Sequence, residues 1–405
     1  MIDVLLEYFR EYADVLLCSF LSLLLAGQFD NHLWRLLMIG LSYVLHFSVL
    51  DGTKLTWWMF LVLAYQMMHM PHLRPKQKKC GSIFVTGADS GMGQATVQYL
   101  CETQNKNNMG AYTTIFAGAY SPEAATPVLQ NLCGKEAFDK YVKVIPLDVS
   151  SDKSVEDAVK AVLAARPSGG SAKESDLTAL VNYHGIAFNG PLEYMPMKMY
   201  YRQHEVNYMG NIRMAQHFLP LLKSSTCKDV RKRVIFTGTG GGPCTPCPPL
   251  LSAYMSSKFA GEAMAQCLRM EMHVMRHDID VAVINPGFVK PTMLMAEGKK
   301  LTDQMWKACE DHLGSSKAKD EFGPLMDHFM EYSEKVPGTH VTEVCKAAEH
   351  ALTAYRPRST YKVGIDSKLA PIVGMLPTGV RELISLHGMY GVLSPAGTVK
   401  GYRVS

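Results

Sequence analysis

Apolar and polar positions alternate along the middle of the chain in blocks that predict strands and helices in turn. Short apolar runs, rich in β-branched residues, alternate with longer segments that have the periodicity of a helix. Such alternation builds a parallel sheet with helices on both faces. The sequence therefore predicts an α/β fold, a doubly wound parallel sheet. The predicted strands are 82–86, 114–119, 142–147, 179–182, 233–237 and 280–285, and the predicted helices are 92–103, 122–132, 154–165, 198–222 and 254–276.

The first eighty residues follow another pattern, with apolar stretches at 13–27, 33–50 and 55–70. Each is a little shorter than the ~20 residues that cross a bilayer core. The second stretch also contains Arg35 and His46, which are costly in lipid. A buried helical domain is the alternative, but so few charges would leave it almost no polar outer face. We therefore expect an N-terminal membrane anchor of three hydrophobic helices.

Flanking charge predicts the orientation of this anchor. A basic run at Arg74, Lys76, Lys78 and Lys79 follows the third stretch and indicates the cytoplasmic side. The ten cysteines have no spacing typical of a disulfide framework, which also favours a reducing compartment. The close pair Cys244 and Cys247 has no second pair near it, so we expect an ordinary loop and no metal site.

Composition limits the class of protein. The chain has 405 residues, 47% hydrophobic and 19% charged, with a formal net charge of +4. This balance gives no reason to expect a nucleic-acid partner. We expect three segments: the anchor at 1–80, an α/β domain at 81–292, and a less regular segment at 293–405 continuous with that domain. The broken apolar patch at 369–386 is expected to cover a substrate pocket or to touch a bilayer surface.

A glycine-rich turn follows the first predicted strand and opens the first helix. Glycines let the backbone approach a pyrophosphate closely, and the helix N-terminus offers N–H groups and a positive dipole end to the anion. This context makes the turn a candidate phosphate site. Its residues are Thr86, Gly87, Ala88, Asp89, Ser90, Gly91, Met92 and Gly93.

Tyr254 and Lys258 stand four residues apart on the last predicted helix, and hence on one face of it. A free Tyr has a pKa of about 10 and is a poor base, but a nearby ammonium favours the phenolate. The glycine turn has the spacing Gly-x-x-x-Gly-x-Gly, and Tyr254 and Lys258 have the spacing Tyr-x-x-x-Lys. Together these two motifs resemble those of the short-chain dehydrogenase/reductase family. The resemblance implies a Rossmann-type fold, an oxidoreductase, and Tyr254 as the group that exchanges a proton with an alcohol or ketone.

Further family positions follow from the resemblance. Asp148 resembles the Asp that binds adenine, and Asn207 resembles the helix Asn that anchors a proton-relay water. Asn182 begins Asn-Tyr-His-Gly, where the family usually has Asn-Asn-Ala-Gly. Pro286 and Gly287, followed by Thr292, resemble the loop at the nicotinamide end. We expect Thr86, Gly87, Asp89, Ser90, Gly91, Met92, Gly93, Asp148, Asn182, Tyr254, Lys258, Pro286, Gly287 and Thr292 to bind the cofactor.

The substrate-orienting Ser of the family is missing. Gly241 stands at the usual spacing before Tyr254, whereas alignment by the strand end gives Thr239. Thr supplies the same hydroxyl donor and acceptor, so we expect Thr239 to be the fourth catalytic residue with Tyr254, Lys258 and Asn207. The alternative is that Thr239 only ends the strand and that the site is impaired. We expect His184 to be exposed at a strand end, with a pocket or packing role.

The cofactor prediction depends on the tip of the second strand. Residues 116–121 contain neither an acidic nor a basic residue there. Asp89 is expected near the adenosine, where it would repel the 2′-phosphate of NADP. NAD is therefore favoured over NADP.

Within the family, the glycine turn resembles one branch. This branch contains the type 2 11β- and 17β-hydroxysteroid dehydrogenases, the retinol dehydrogenases and D-3-hydroxybutyrate dehydrogenase. The resemblance to this branch implies oxidation of a secondary or retinol-like alcohol. A hydroxysteroid is favoured, because a membrane anchor suits a lipophilic substrate. The branch also implies a location in the endoplasmic reticulum membrane, with the catalytic domain facing the cytosol. Family members also form homodimers. Two alternatives remain: an NADP(H)-dependent ketone reductase or 3-hydroxybutyrate dehydrogenase, and a membrane-held dinucleotide-binding protein without turnover.

Overall fold

The computed structural model describes residues 77–104, 110–165, 175–244, 246–291 and 298–390. The strands of these residues are β1 Ser82–Thr86, β2 Thr114–Ala119, β3 Val142–Pro146, β4 Leu177–Asn182, β5 Lys232–Thr237, β6 Ile279–Pro286, β7 Val289–Lys290, β8 Thr339–His340 and β9 Thr360–Val363. Seven of these described strands form the central parallel sheet, in the order β3-β2-β1-β4-β5-β6-β9, and β7 and β8 pair separately.

Helices follow the strands in the order of a doubly wound fold. The α-helices of the described residues are α1 Gly91–Glu102, α2 Pro122–Cys133, α3 Lys135–Tyr141, α4 Asp152–Ala164, α5 Met197–His204, α6 Gly210–Lys223, α7 Ser252–Val274, α8 Gly298–Leu313, α9 Lys317–Lys335, α10 Val341–Thr353, α11 Ile365–Gly374 and α12 Thr378–Tyr390.

Side-chain alternation along β1 divides the core between the two faces of the sheet. Ile83 and Val85 pack into one cluster with α1, α2 and α10, whereas Phe84 faces the cluster that contains α4, α6 and α7. Phe84 meets Phe218 of α6 edge to face, with ring centroids 4.7 Å apart. Both faces of β1 are therefore buried, which explains why the strand reads as a continuous apolar run.

The predicted central elements agree with the structure within a few residues, but the predicted helix 198–222 is interrupted. A π-helical turn, Glu205–Met209, separates α5 from α6. Such turns occur often at functional sites, because the extra residue redirects side chains. This one contains the buried Asn207.

The region after residue 292 is more regular than the sequence analysis expects. It forms α8 to α12 within its described residues, and it adds β9 to the sheet beside β6. Met305, Trp306 and Phe329 of α8 and α9 form a third core cluster with Phe188 and Tyr194. The expectation failed because the outer faces of these helices are strongly polar and because α9 and α11 each contain a proline.

The three apolar stretches assigned to a membrane anchor lie outside the described residues. Within the described ranges, no helix is both long enough and apolar enough to span a bilayer.

Candidate active site

Three positions of the turn between β1 and α1 have a backbone geometry or a close contact that requires glycine. Gly87 has φ +65° and Gly91 has φ +56°. A Cβ on Gly93 would lie 2.2 Å from the carbonyl oxygen of Gly87, which is impossible without moving backbone. As in every α-helix, the first N–H groups of α1 have no acceptor within the helix and can bind an anion. The turn therefore fits a pyrophosphate, which Gly87 to Gly93 would hold.

Thr86 ties the glycine turn to the end of β4. Its hydroxyl oxygen accepts hydrogen bonds from the backbone N–H groups of Tyr183 and His184, at 3.0 and 3.2 Å. It also lies 2.8 Å from Nδ1 of His184. His184 is buried, so the expectation that it is exposed was wrong: its ring fills the space between Thr86 and Gly210.

Asp89 and Asp148 follow the carboxyl ends of β1 and β3, the strands on either side of β2, where an adenosine is expected. Oδ1 of Asp89 accepts the backbone N–H of Ser121 at the tip of β2, at 2.8 Å. Oδ1 of Asp148 accepts both the N–H and the hydroxyl of Ser150, at 2.9 and 2.6 Å. Asp89 thus carries its negative charge at the tip of β2, the place where the strand itself has no acidic residue.

The structure brings Tyr254, Thr239 and Lys258 together. Thr239 lies close enough to Tyr254 for its hydroxyl to lower the pKa of the phenol. Nζ of Lys258 lies 5.9 Å from the centre of the Tyr254 ring and donates to the carbonyl of Thr237 at 3.1 Å. Thr239 therefore stands beside the phenol, where the sequence analysis predicts the substrate-orienting hydroxyl.

Burial shifts the pKa values of both Tyr254 and Lys258. It raises the pKa of Tyr254 above its ordinary value, while the hydroxyl of Thr239 lowers that pKa. It also lowers the pKa of Lys258 to about 8. Lys258 is therefore mostly cationic at pH 7, where its charge favours the phenolate of Tyr254.

Asn207 is fully buried beneath the same region. Its amide exchanges two hydrogen bonds with the backbone of Ile186, at 2.8 and 2.9 Å, and donates to the hydroxyl of Ser257 at 3.0 Å. A Cβ on Gly185 would lie 3.3 Å from Oδ1 of Asn207 and 3.4 Å from Nζ of Lys258. The backbone at Gly185 thus separates the two side chains.

Ser257 is a residue that the sequence analysis missed. Its hydroxyl donates to the carbonyl of Tyr254 at 2.8 Å while it accepts from Asn207. It links the helix that carries Tyr254 to the π-helical turn. The available signal was its place inside the Tyr-x-x-x-Lys segment, on the face of the helix between Tyr254 and Lys258.

A cavity of about 670 Å³ opens beside the Tyr254 and Thr239 pair. Met92 of the glycine turn and the loop of Pro286 and Gly287 line it as well. Its wall is mainly apolar and includes Leu251, Met255, Phe288, Leu301, Phe329, Met330, Leu369, Val373 and Ile384. α8, α9, α11 and α12 contribute residues to this wall.

The other predicted site residues are placed less directly. Asn182, the last residue of β4, is buried, and its side-chain amide donates to the carbonyl of Ile235 in β5 at 3.3 Å. Thr292 lies outside the described residues.

The family model for short chain dehydrogenases matches residues 82–302. The chain therefore belongs to the short-chain dehydrogenase/reductase family, and it is an oxidoreductase. The match spans the glycine turn, the π-helical turn, Tyr254, Lys258 and the loop of Pro286.

Individual relatives place the chain within a branch of this family. It is 29% identical over 283 residues to the mitochondrial D-beta-hydroxybutyrate dehydrogenase of Rattus norvegicus, covering 69% of this chain and 76% of that protein. It is 26% identical over 341 residues to estradiol 17-beta-dehydrogenase 2 of Mus musculus, covering 82% and 81%. The fold matches a short chain dehydrogenase/reductase from Burkholderia phymatum, crystallised with NAD, with TM-score 0.55 and 17% identity over 73% of this chain and 92% of that chain.

Proposed function

We propose that this chain oxidises a lipophilic secondary or retinol-like alcohol, such as a hydroxysteroid, with NAD⁺. The observation that carries the proposal is the Tyr254 and Thr239 pair at the wall of a large apolar cavity, beside Met92 and the Pro286 loop. A nicotinamide dinucleotide, when bound, supplies the hydride acceptor. The glycine turn would hold its pyrophosphate, and Asp148 its adenine.

Each catalytic side chain has a role that its contacts support. Thr239 holds the substrate oxygen by a hydrogen bond, and Tyr254 takes the hydroxyl proton as the alcohol is oxidised. Lys258 stabilises the phenolate through its charge. Asn207 fixes the backbone of Ile186 beneath the site. A water held by Asn207 would continue the proton path toward solvent.

Charge in the cavity wall favours a neutral substrate. Among the described residues of the wall, Lys290 carries the only positive charge, and its ammonium donates to the carbonyls of Glu334 and Val336, both at 2.8 Å. Asp366 and Glu334 also lie in the wall. A substrate carboxylate would meet two negative charges and one engaged cation, so a small hydroxy acid fits poorly.

The choice of NAD⁺ depends on Asp89. Its carboxylate at the tip of β2 would lie close to the 2′-phosphate of NADP and repel it. An NADP(H)-linked ketone reductase uses the same Tyr254 and Lys258 in reverse, so cofactor preference separates the two functions.

We also propose, from hydropathy and flanking charge alone, that residues 1–80 hold the enzyme in the endoplasmic reticulum membrane with the catalytic domain in the cytosol. An anchored enzyme meets a bilayer-soluble alcohol directly. A homodimer is proposed on the family resemblance.

The test is turnover in microsomes that contain the full chain. NADH formation is followed with NAD⁺ or NADP⁺ and a panel of hydroxysteroids, retinol and 3-hydroxybutyrate. We expect turnover of one lipophilic alcohol with NAD⁺, loss of at least 100-fold in Tyr254→Phe, and partial activity in Thr239→Ser. Tyr201→Phe, which alters an exposed tyrosine, is the matched control. Nucleotide binding without turnover of any alcohol would instead favour a non-catalytic binding protein.

A further inference from the structure

The first turn of α11 contacts both loops that border the reacting groups. Ser367 is fully buried, and its hydroxyl lies 2.5 Å from the carbonyl oxygen of Gly240 and 2.7 Å from that of Asn285. Gly240 directly follows Thr239, and Asn285 directly precedes Pro286. One hydroxyl proton is therefore shared between the two loops.

Asp366 holds the second loop from its other end. Its Oδ2 accepts the backbone N–H of Phe288 at 2.7 Å, and its Oδ1 accepts the N–H of Ser367 at 2.9 Å. A Cβ on Gly287 would lie 1.9 Å from Oδ1 of Asp366, so only glycine lets the loop pack against this carboxylate. The backbone N–H of Gly287 also donates to the carbonyl of Val363 at 2.8 Å.

The two loops are joined to each other beside these contacts. The N–H of Gly238 donates to the carbonyl of Ile284 at 2.9 Å, and that of Gly240 donates to the carbonyl of Pro286 at 2.7 Å. Thr239 is therefore held on both sides by β6 and its extension. Gly240 has φ +44° and no side chain, so contacts of its backbone must fix the position of this loop.

We propose that Ser367, supported by Asp366, is a positioning residue that sets the Thr239 hydroxyl against the Tyr254 phenol and the Pro286 loop against the nicotinamide. The proposal rests on the proposed function. Replacing Ser367 by alanine would leave two buried carbonyls without their shared donor, and the loops would relax apart. A small displacement of a substrate-orienting group is enough to lower a catalytic rate strongly.

The experiment compares two buried serines in the full chain. Ser175 is also almost fully buried, and its hydroxyl donates to the carbonyl of Leu221 at 2.6 Å at the opposite end of the sheet. Ser175→Ala is therefore the matched control for loss of a buried serine–carbonyl hydrogen bond. For each variant we would measure kcat, KM, the Kd of NAD⁺ and the thermal unfolding midpoint in microsomes.

We expect Ser367→Ala to lower kcat about tenfold with KM nearly unchanged, while Ser175→Ala stays within about twofold of the unmodified chain. In a Thr239→Ala background, Ser367→Ala should cause a smaller further loss than in the unmodified chain, because part of its effect acts through Thr239. Ser367→Cys, which keeps a weak donor, should recover part of the rate. This variant also carries the test if Ser367→Ala does not fold.

Two outcomes would overturn the inference alone: equal kcat values in the two alanine variants, or additive losses in the double variant. If the unmodified chain oxidises none of the alcohols, the proposed function fails and this inference fails with it.

Discussion

His184 stands where the family usually has alanine, and its hydrogen bonds fix its protonation state. The hydroxyl oxygen of Thr86 accepts two backbone N–H groups, so its own proton must go to Nδ1 of His184. The ring proton is then on Nε2, for which no hydrogen-bond partner exists among the described residues. Burial first, and the charge of Lys258 second, lower the pKa of His184 to about 3. His184 is therefore neutral throughout the physiological pH range.

This buried histidine predicts a loss of stability in acid. The unfolded chain binds a proton at this residue below about pH 6.5, whereas the folded chain does so only near pH 3. Stability contributed by the neutral ring is complete above pH 6.5 and falls by about 1.4 kcal/mol per pH unit between these values. Thermal unfolding of the detergent-solubilised chain from pH 7.5 to 5 should show this slope, and His184→Ala should reduce it. The exposed His273→Ala is the control, and an unchanged slope in His184→Ala would refute the assignment.

At the scale of elements, the strands were predictable because strands of a parallel sheet that are buried on both faces read as apolar runs. The proximity of Tyr254 and Lys258 was also predictable from local sequence. Residues four apart on a helix lie on the same face, whatever the rest of the chain does. The contacts of Ser367 were not predictable, because its partners lie 127 and 82 residues away in sequence. His184 was misjudged because its burial depends on α6, another distant element.

The β1–α1 turn predicts that one added methyl group weakens nucleotide binding. In Gly93→Ala the new Cβ would meet the carbonyl of Gly87 at 2.2 Å, so the turn must open. We expect a loss of at least about tenfold in NAD⁺ affinity, or more than 1.4 kcal/mol, measured by fluorescence titration. Gly134→Ala is not a suitable control, because Gly134 has φ +77°. Gly323→Ala in α9 is suitable, since the new Cβ would lie 3.8 Å from the side chain of Lys319, an ordinary contact, and this variant should bind NAD⁺ normally.

A buried ion pair joins β5 to β6 and to the end of α10. The guanidinium of Arg233, 1% exposed, pairs with Asp280 and donates to the carbonyls of Ala351 and Ala354 at 2.9 and 2.7 Å. Asp280→Ala would leave this buried charge without its carboxylate, and we expect a loss of about 3 kcal/mol in unfolding free energy. Asp157→Ala, which removes an exposed carboxylate paired with Lys153 and Lys160, should change stability little. Chemical denaturation would measure the unfolding free energy of both variants. Equal losses in the two would contradict the role assigned to the Arg233–Asp280 pair.

At the scale of the whole molecule, the sheet, the glycine turn and the cavity wall are parts of one folded unit, so a bound nucleotide should stabilise all of them. Binding to the folded state alone adds about 2.7 kcal/mol when the ligand is present at 100 times its Kd. β9 and α11 come from the region after residue 292, and Ser367 connects them to the loop of Thr239. The unfolding midpoint of the full chain is therefore a readout of nucleotide choice that does not depend on finding the substrate.

We expect NAD⁺ to raise this midpoint more than NADP⁺ at equal concentration, and Asp89 is the residue responsible. In Asp89→Asn the amide oxygen still accepts the N–H of Ser121, so the contact of the turn with β2 is preserved while the charge is removed. Losing a repulsion of about 1 kcal/mol should tighten NADP⁺ binding roughly fivefold and leave NAD⁺ nearly unaffected. Asp152→Asn, another partly paired surface carboxylate, serves as the control for net charge. If NADP⁺ stabilises the unmodified chain more than NAD⁺ does, the assignment of Asp89 is wrong and the reductase direction becomes the better reading of the same site.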